Sequence, residues 1–478
     1  MDEDYRMVSD IDHSVPSLDA TTDAPLELGS YRSLISLAVP AIIASTGNAV
    51  MQFIDGLLLS RYSQTAMAAQ GSAGIMAWAA MLLFVGTAAY ADAFVAQYQG
   101  AGRRHRVAEV VWQALWFSLA CGLILAVVAS PLSLLFAYVG HDPTLVTGEQ
   151  LYFKIILWGG VFPIAFAALA GFFLGRGDNR TLMVVELIAQ VLNGVLDWLL
   201  IYGPGPFPEW GLAGAAIATV AAQAVGVAVA LVIFLSRRHR RTYGSWRGRR
   251  LDLSLMGRLM RYGLPNGIRG MVEVFGWAAF MQVVGRLGVE ELSVTNISWR
   301  LSGLVFPLWG ISLAVTTQVG QAQGRGEPDL AALATWRGLS IAQVAMMLGA
   351  GVLVAWPEPM LRIFMPSDMS PAEVARTIST GVVLLRFIAA YCLVDAINLI
   401  MMGALAGAGD TKAMLAISTI LFSGFVAAML IMAYVGASLY ALWAALTIQV
   451  ALMAAAFLGR FLTGHWRSMR VIEQTLQD

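Results

Sequence analysis

From residue 33 onward the chain alternates long apolar stretches with short polar connections. A hydrocarbon core about 30 Å thick takes roughly 20 apolar residues of helix at 1.5 Å rise each, and more where helices tilt. Twelve stretches reach that length: near 33–60, 68–97, 107–130, 148–174, 181–202 and 211–235 in the first half, then 264–287, 292–320, 332–356, 376–405, 412–435 and 438–462. Backbone groups in hydrocarbon have no water to bond, and a helix satisfies them internally. The pattern predicts an all-α polytopic membrane protein.

The polar connections set orientation. Arg103, Arg104 and Arg106 follow the second stretch, and an arginine-rich run from Arg237 to Arg250 follows the sixth. By the positive-inside rule these loops, and with them both termini, face the cytoplasm. The run also holds Trp246; on the inner face of such a protein it reads as a topology signal rather than a nucleic-acid patch. The expected organisation is a disordered cytoplasmic tail over 1–30, a first lobe over 31–236, a basic cytoplasmic linker over 237–255, a second lobe over 256–464 and a cytoplasmic tail over 465–478. The first thirty residues are acidic and polar, without the apolar core of a signal peptide.

The halves repeat each other. AQYQGAG at 96–102 returns as GQAQGRG at 320–326, LAVP ending at Pro40 as YGLP ending at Pro265, and LGRGD at 174–178 as AGAGD at 406–410. The order is kept, at offsets of 224, 225 and 232. Each repeat has an even number of spans, so both lie the same way up, related by a pseudo-two-fold axis along the membrane normal. A cleft between the halves follows, and rocking of one half against the other opens it to alternate sides.

Composition narrows the class. Hydrophobic residues make up 58% and charged residues 13%, beyond what a water-soluble core accommodates. Net charge is zero and lysine occurs only at Lys154 and Lys412, which argues against a nucleic-acid domain. Cys121 and Cys392 sit in apolar stretches without paired spacing, as packing residues do.

A charge at membrane depth is costly unless paired or wet, so each one marks a candidate site. In the first half, Asp55 lies toward the outer end of the first helix, and Asn193 and Asp197 are four apart on one face of the fifth. Tyr152 and Thr219 fall at similar depth. Two carboxylates with amide and hydroxyl oxygens suit a hard cation, a shared proton, or a purely structural network. In the second half Glu273 and Asp395 lie at matching depth, and Tyr391 precedes Asp395 by one turn. The repeat sets Phe425 and Met429 opposite Asn193 and Asp197, and Phe280 opposite Asp55, so the acids are placed asymmetrically. Arg300 and Arg386 also fall within spans, where one of them is expected to neutralise a second-lobe acid or to snorkel. Asp92, Glu109 and Glu186 are expected nearer the cytoplasmic interface, while Trp158, Trp277 and Trp309 offer faces either to helix packing or to a lipophilic cation.

From about residue 30 to 465 the chain resembles multidrug and toxic compound extrusion transporters, the MATE family, and within it the bacterial NorM-like subgroup. The resemblance rests on LAVPAIIASTGNAVMQFIDGLLLSR at 37–61, GFFLGRGDNRTLMVVELIAQVLNGVLDWLLIYG at 171–203, GLAGAAIAT at 211–219, GLPNGIRGMVEV at 263–274, VGQAQGRGEPDLA at 319–331 and DAINLIMMGALAGAGDT at 395–411. It implies two six-helix lobes in a V, and export of organic, mostly cationic compounds in exchange for Na+ or H+ at a bacterial inner membrane. It also implies that Asp55, Asn193 and Asp197 form the first-lobe cation or proton site, with Tyr152 and Thr219 matched by spacing. Glu273, Tyr391 and Asp395 match the second-lobe sodium site. The implied partners are small organic cations, the coupling ion and the bilayer, with no other cofactor, no nucleic acid and no enzymatic activity. One departure is LSRYSQTAMAAQG at 59–71, where the family carries a Gly-rich turn. A lipid or lipid-linked oligosaccharide flippase of the same superfamily is the alternative, and its anionic cargo calls for a basic cleft. A membrane enzyme finds no support in histidine clusters or nucleophile motifs.

Overall fold

The computed structural model describes residues 27–138, 141–305, 309–365 and 370–473, so most of the expected N-terminal tail and the last five residues lie outside it. The described residues form no strand and twelve helical rods. The first lobe holds α1 (Tyr31–Tyr62), α2 (Gln64–Gly100), α3 (Arg104–Tyr138), α4 (Pro143–Trp158 and Val161–Arg176), α5 (Asn179–Tyr202) and α6 (Gly211–Phe234). The second holds α7 (Leu253–Leu287), α8 (Val289–Val305 and Trp309–Arg325), α9 (Pro328–Ala355), α10 (Pro371–Ala408), α11 (Thr411–Tyr434) and α12 (Leu439–Leu462).

Among the described residues nine rods are long and apolar enough to cross a bilayer, and α4, bent by 42° at its break, makes a tenth. The two outside that number occupy the seventh and eighth places. α7 is 35 residues long, but it begins eleven residues before the expected 264 and carries Arg258, Arg261, Arg269, Glu273 and Arg286. α8 is described in two pieces on either side of residues 306–308. α1 and α2 are joined by Ser63 alone, in extended conformation, whose side chain caps α2. That single residue stands where the family pattern has its Gly-rich turn.

The repeated motifs have structural counterparts. Gly177 and Gly409, both in the left-handed region at φ 82° and 102°, end α4 and α10, and Asp178 and Asp410 stand at the N-caps of α5 and α11. The GQAQGRG and AQYQGAG segments form the seam between the lobes. A Cβ on Gly100 would lie 2.0 Å from the Gln321 carbonyl oxygen, and one on Gly324 would lie 2.0 Å from that of Gln97. Gln97 donates to the Gly407 carbonyl at 2.9 Å, and its repeat partner Gln321 donates to that of Gly175 at 2.9 Å. Accordingly α1 packs on α8 and α2 on α7, pairs that a two-fold axis exchanges. The start of α1 (Leu34, Leu37) joins the second-lobe core, and the start of α7 (Leu255, Leu259) joins that of the first. Toward the far ends of α1 and α7, by contrast, Val50, Phe53 and Phe275 are exposed.

The C-terminal segment straps this seam. Trp466 stacks on Phe461 in the second lobe, with ring centroids 4.8 Å apart, whereas Val471 and Ile472 are buried in the core of the first. The Val471 N–H donates to Gln97 Oε1 at 2.8 Å. Glu473 pairs with Arg106 at 3.2 Å and with Arg258, and it accepts from the Tyr98 hydroxyl at 2.7 Å. Burial works against its charged form, yet the hydrogen bonds from Arg258 and Tyr98 outweigh this and hold the Glu473 carboxyl down at about 2.

Two outcomes follow. Gly100→Val or Gly324→Val places side-chain atoms inside the opposing backbone, and should lower the melting temperature and weaken closure at the seam, by more than the ~1–3 kcal/mol of ordinary overpacking. The Glu473 value lies below the ordinary 4.5, so its contribution is complete above that pH and is lost as the pH falls toward about 2. A fluorophore on the tail should gain mobility over that window, and Glu473→Gln should give the mobile signal at neutral pH with no acid transition.

Candidate cation sites in the two lobes

The first-lobe site arises where five helices converge. α1 and α5 pack along their length, which makes Asp55 and Asp197 close electrostatic neighbours. Asn193, one turn before Asp197, donates from Nδ2 to its Oδ2 at 2.8 Å. The Tyr152 hydroxyl of α4 reaches both Gln70 on α2 and Thr219 on α6, and Asp55 and Asp197 are its charged neighbours. All five sequence-predicted residues thus meet in one place, and Gln70 joins them. Asp197 is 1% exposed, and the Oδ1 atoms of Asp55 and Asp197 are both buried without a hydrogen-bond partner. Two neighbouring carboxylates in a low dielectric repel unless a proton or cation stands between them. The donor set, two acids with amide and hydroxyl oxygens, fits either.

The second-lobe acids are met differently. Glu273, Tyr391 and Asp395 line one cavity of about 810 Å³ together with Trp277 and Trp299. Asp395 has the Tyr391 hydroxyl as a neighbour, and its Oδ1 accepts from Asn398 Nδ2 at 2.9 Å. Glu273 forms an ion pair with Arg269, one turn earlier on α7, and lies 3.4 Å from the Ser418 hydroxyl. The guanidinium also points Nη1 at Met402 Sδ, 2.9 Å away, and Nη2 at Asn266 Oδ1, 3.4 Å away. Arg300 and Arg386, expected either to neutralise an acid here or to snorkel, are exposed, which agrees with the second of these expectations. The i to i+4 spacing of Arg269 and Glu273 was the available signal.

Aromatic rings wall this second cavity. Trp277 and Trp299 lie 4.0 Å apart between centroids, and Trp299 meets Tyr391 edge-on at 6.1 Å. Trp309 borders both this cavity and a smaller one of about 490 Å³ in the first lobe. Trp158 is 56% exposed on α4 and borders neither of the two. Glu186, expected at the interface, lines the smaller cavity with Gln190 and Asn179, because these residues share one face of α5 with Asn193 and Asp197. Glu109 pairs with Arg106 at 2.6 Å at the start of α3, and Asp92 is half-buried near the seam end of α2. Phe280, Phe425 and Met429 are packed in the second-lobe core. No group of three or more His, Cys, Asp or Glu positioned to hold a metal occurs among the described residues.

The MatE family model matches residues 40–199 and 265–435. A probable multidrug resistance protein NorM of Thermotoga maritima is 27% identical over 455 residues, covering 92% of this chain and 94% of its own. One of Xanthomonas campestris pv. campestris is 28% identical over 408 residues, covering 84% and 86%. Among solved structures, a crystal structure of MATE in complex with MaL6 has a TM-score of 0.84 at 19% identity, covering 93% of this chain and 98% of that one. An outward-facing multidrug resistance MATE transporter has a TM-score of 0.80 at 20% identity, with 92% and 97% covered.

The first-lobe pair makes opposed stability predictions. Asp197→Asn removes a like-charge repulsion and should raise the melting temperature at neutral and alkaline pH. Asn193→Leu strips Asp197 of its donor and should destabilise the protein by about 1–3 kcal/mol. Thermal unfolding in detergent across a pH series distinguishes the two.

Proposed function

Since the chain belongs to the MatE family, we propose that it is a secondary active antiporter that exports organic, mostly cationic compounds in exchange for Na+ or H+ by alternating access. The observation that carries the reading is the close approach of Asp55 and Asp197, two membrane-embedded acids whose Oδ1 oxygens are unpartnered. A coupling ion bound there answers their repulsion, and losing it restores a negative potential in the cleft that attracts a cationic cargo. The Trp277, Trp299 and Tyr391 rings add cation–π attraction for a flat or lipophilic cation. Curated relatives named as probable multidrug resistance proteins support a small-molecule cargo.

The closed seam carries Arg103, Arg104 and Arg106, so by the positive-inside rule it faces the cytoplasm of a bacterial inner membrane with both termini. The cleft then opens outward. A flippase for anionic lipid needs cationic groups available in the cleft, whereas Arg269, the arginine lining the larger cavity, is tied to Glu273.

Purified protein in liposomes loaded with a fluorescent lipophilic cation tests the proposal. Movement should follow an imposed ion gradient and fall at least about tenfold in Asp55→Asn, as expected when an interaction worth ~1.4 kcal/mol or more is lost. Absence of movement under both Na+ and pH gradients would contradict it.

A further inference from the structure

We propose that Arg269 is a built-in cation that takes the place of Na+ in the second lobe, leaving the first-lobe carboxylate pair as the seat of ion coupling. The residues that resemble a sodium site are Glu273, Tyr391 and Asp395, but in this chain an arginine already pairs with one of the two acids. Arg269 is only 7% exposed, and its guanidinium pairs with Glu273. Ser418 supplies Glu273 with a further donor, while Asn398 supplies Asp395. In the first lobe, by contrast, the buried Oδ1 atoms of Asp55 and Asp197 have no hydrogen-bond partner.

Charge points the same way. The groups facing Glu273 and Asp395 are each other, Arg269, Tyr391 and Cys392, so two negative charges are met by one fixed positive charge. Those facing Asp55 and Asp197 are each other and Tyr152, with no cation among them. A guanidinium tethered four residues from its carboxylate has a far higher local concentration than free Na+, and a sodium ion would have to displace it against repulsion. The arginine is also held from behind by Asn266, whose Nδ2 donates to the Gly86 carbonyl of the first lobe at 3.0 Å. Arg269 therefore links the second-lobe acids to the interlobe contact.

The coupling consequence rests on the antiport reading, but the binding claim is tested without transport. Purified wild-type protein, Arg269→Gln, Arg269→Lys and Arg269→Gln/Glu273→Gln are titrated with NaCl against KCl at constant ionic strength, following melting temperature and retained radioactive sodium. Wild type and Arg269→Lys should show no Na+-specific response that depends on Glu273, which the single variant Glu273→Gln, titrated alongside, reads out. Arg269→Gln should gain a Na+-specific stabilisation of several degrees, which the added Glu273→Gln abolishes. Na+ binding by the wild type that Glu273→Gln removes would overturn the proposal, as would a folded Arg269→Gln that ignores Na+; if that variant does not fold, the wild-type titration decides. The matching transport arm is export driven by a Na+ gradient or a pH gradient, lost in Asp55→Asn. Its failure alongside the expected binding pattern would sink the antiport reading and leave the Arg269 assignment standing.

Discussion

An ionised carboxylate inside a bilayer must be answered, because the low dielectric multiplies both its cost and its attraction for any counter-charge. The two lobes answer their acids in different ways. Asp55 and Asp197 face each other with Tyr152, Asn193, Gln70 and Thr219 around them, an arrangement complete only with a proton or cation added. Glu273 and Asp395 are met by Arg269, Ser418, Asn398 and Tyr391, all from the chain itself. The lobes share a backbone architecture related by two-fold symmetry, yet their electrostatics differ: a fixed arginine pairs with an acid in the second lobe, and no such pair is formed by Asp55 or Asp197 in the first.

The two lobes meet at a seam of close backbone crossings. Its contacts are backbone against backbone, made possible by Gly100 and Gly324, with Gln97 and Gln321 bridging to carbonyls across it. Around them Leu34 and Leu37 pack into the second-lobe core, and Leu255 and Leu259 into the first. The C-terminal segment adds a second, separable tie, as Trp466 sits in one core and Val471 and Ile472 in the other. Separation at the seam therefore has to draw these three side chains apart or carry the segment along.

Much of the architecture could be read from the sequence because the bilayer imposes one length and one period on every span. The repeats also placed the pseudo-symmetry, since glycine at a backbone crossing leaves a motif that survives in both halves. The first-lobe site was legible because four-residue spacing on one helix and depth counting on two others suffice to bring Asp55, Asn193 and Asp197 together. Arg269 and Glu186 were missed for a common reason: depth was counted from apolar boundaries. α7 starts at Leu253, well before its apolar stretch, and the polar residues of α5 form a stripe along one face rather than a cap at its end. Side-chain pairing, as opposed to span depth, decides which arginine neutralises which acid. Ser418 and Asn398 carried no sequence signal strong enough to single them out.

On the antiport reading proposed above, ionisation of the Asp55–Asp197 pair should favour a hydrated, outward-open cleft, and neutralising it should remove the penalty for closing the outer end. The most direct test is the distance between spin labels at Phe207, on the α5–α6 connection, and Val289, at the start of α8, measured by pulsed electron resonance in nanodiscs. With Asp55→Asn and Asp197→Asn combined, the distribution should shift to shorter distances than in the parent protein at the same pH. An unchanged distribution, with both samples folded, would contradict the claim that charge on this pair sets the position of the lobes.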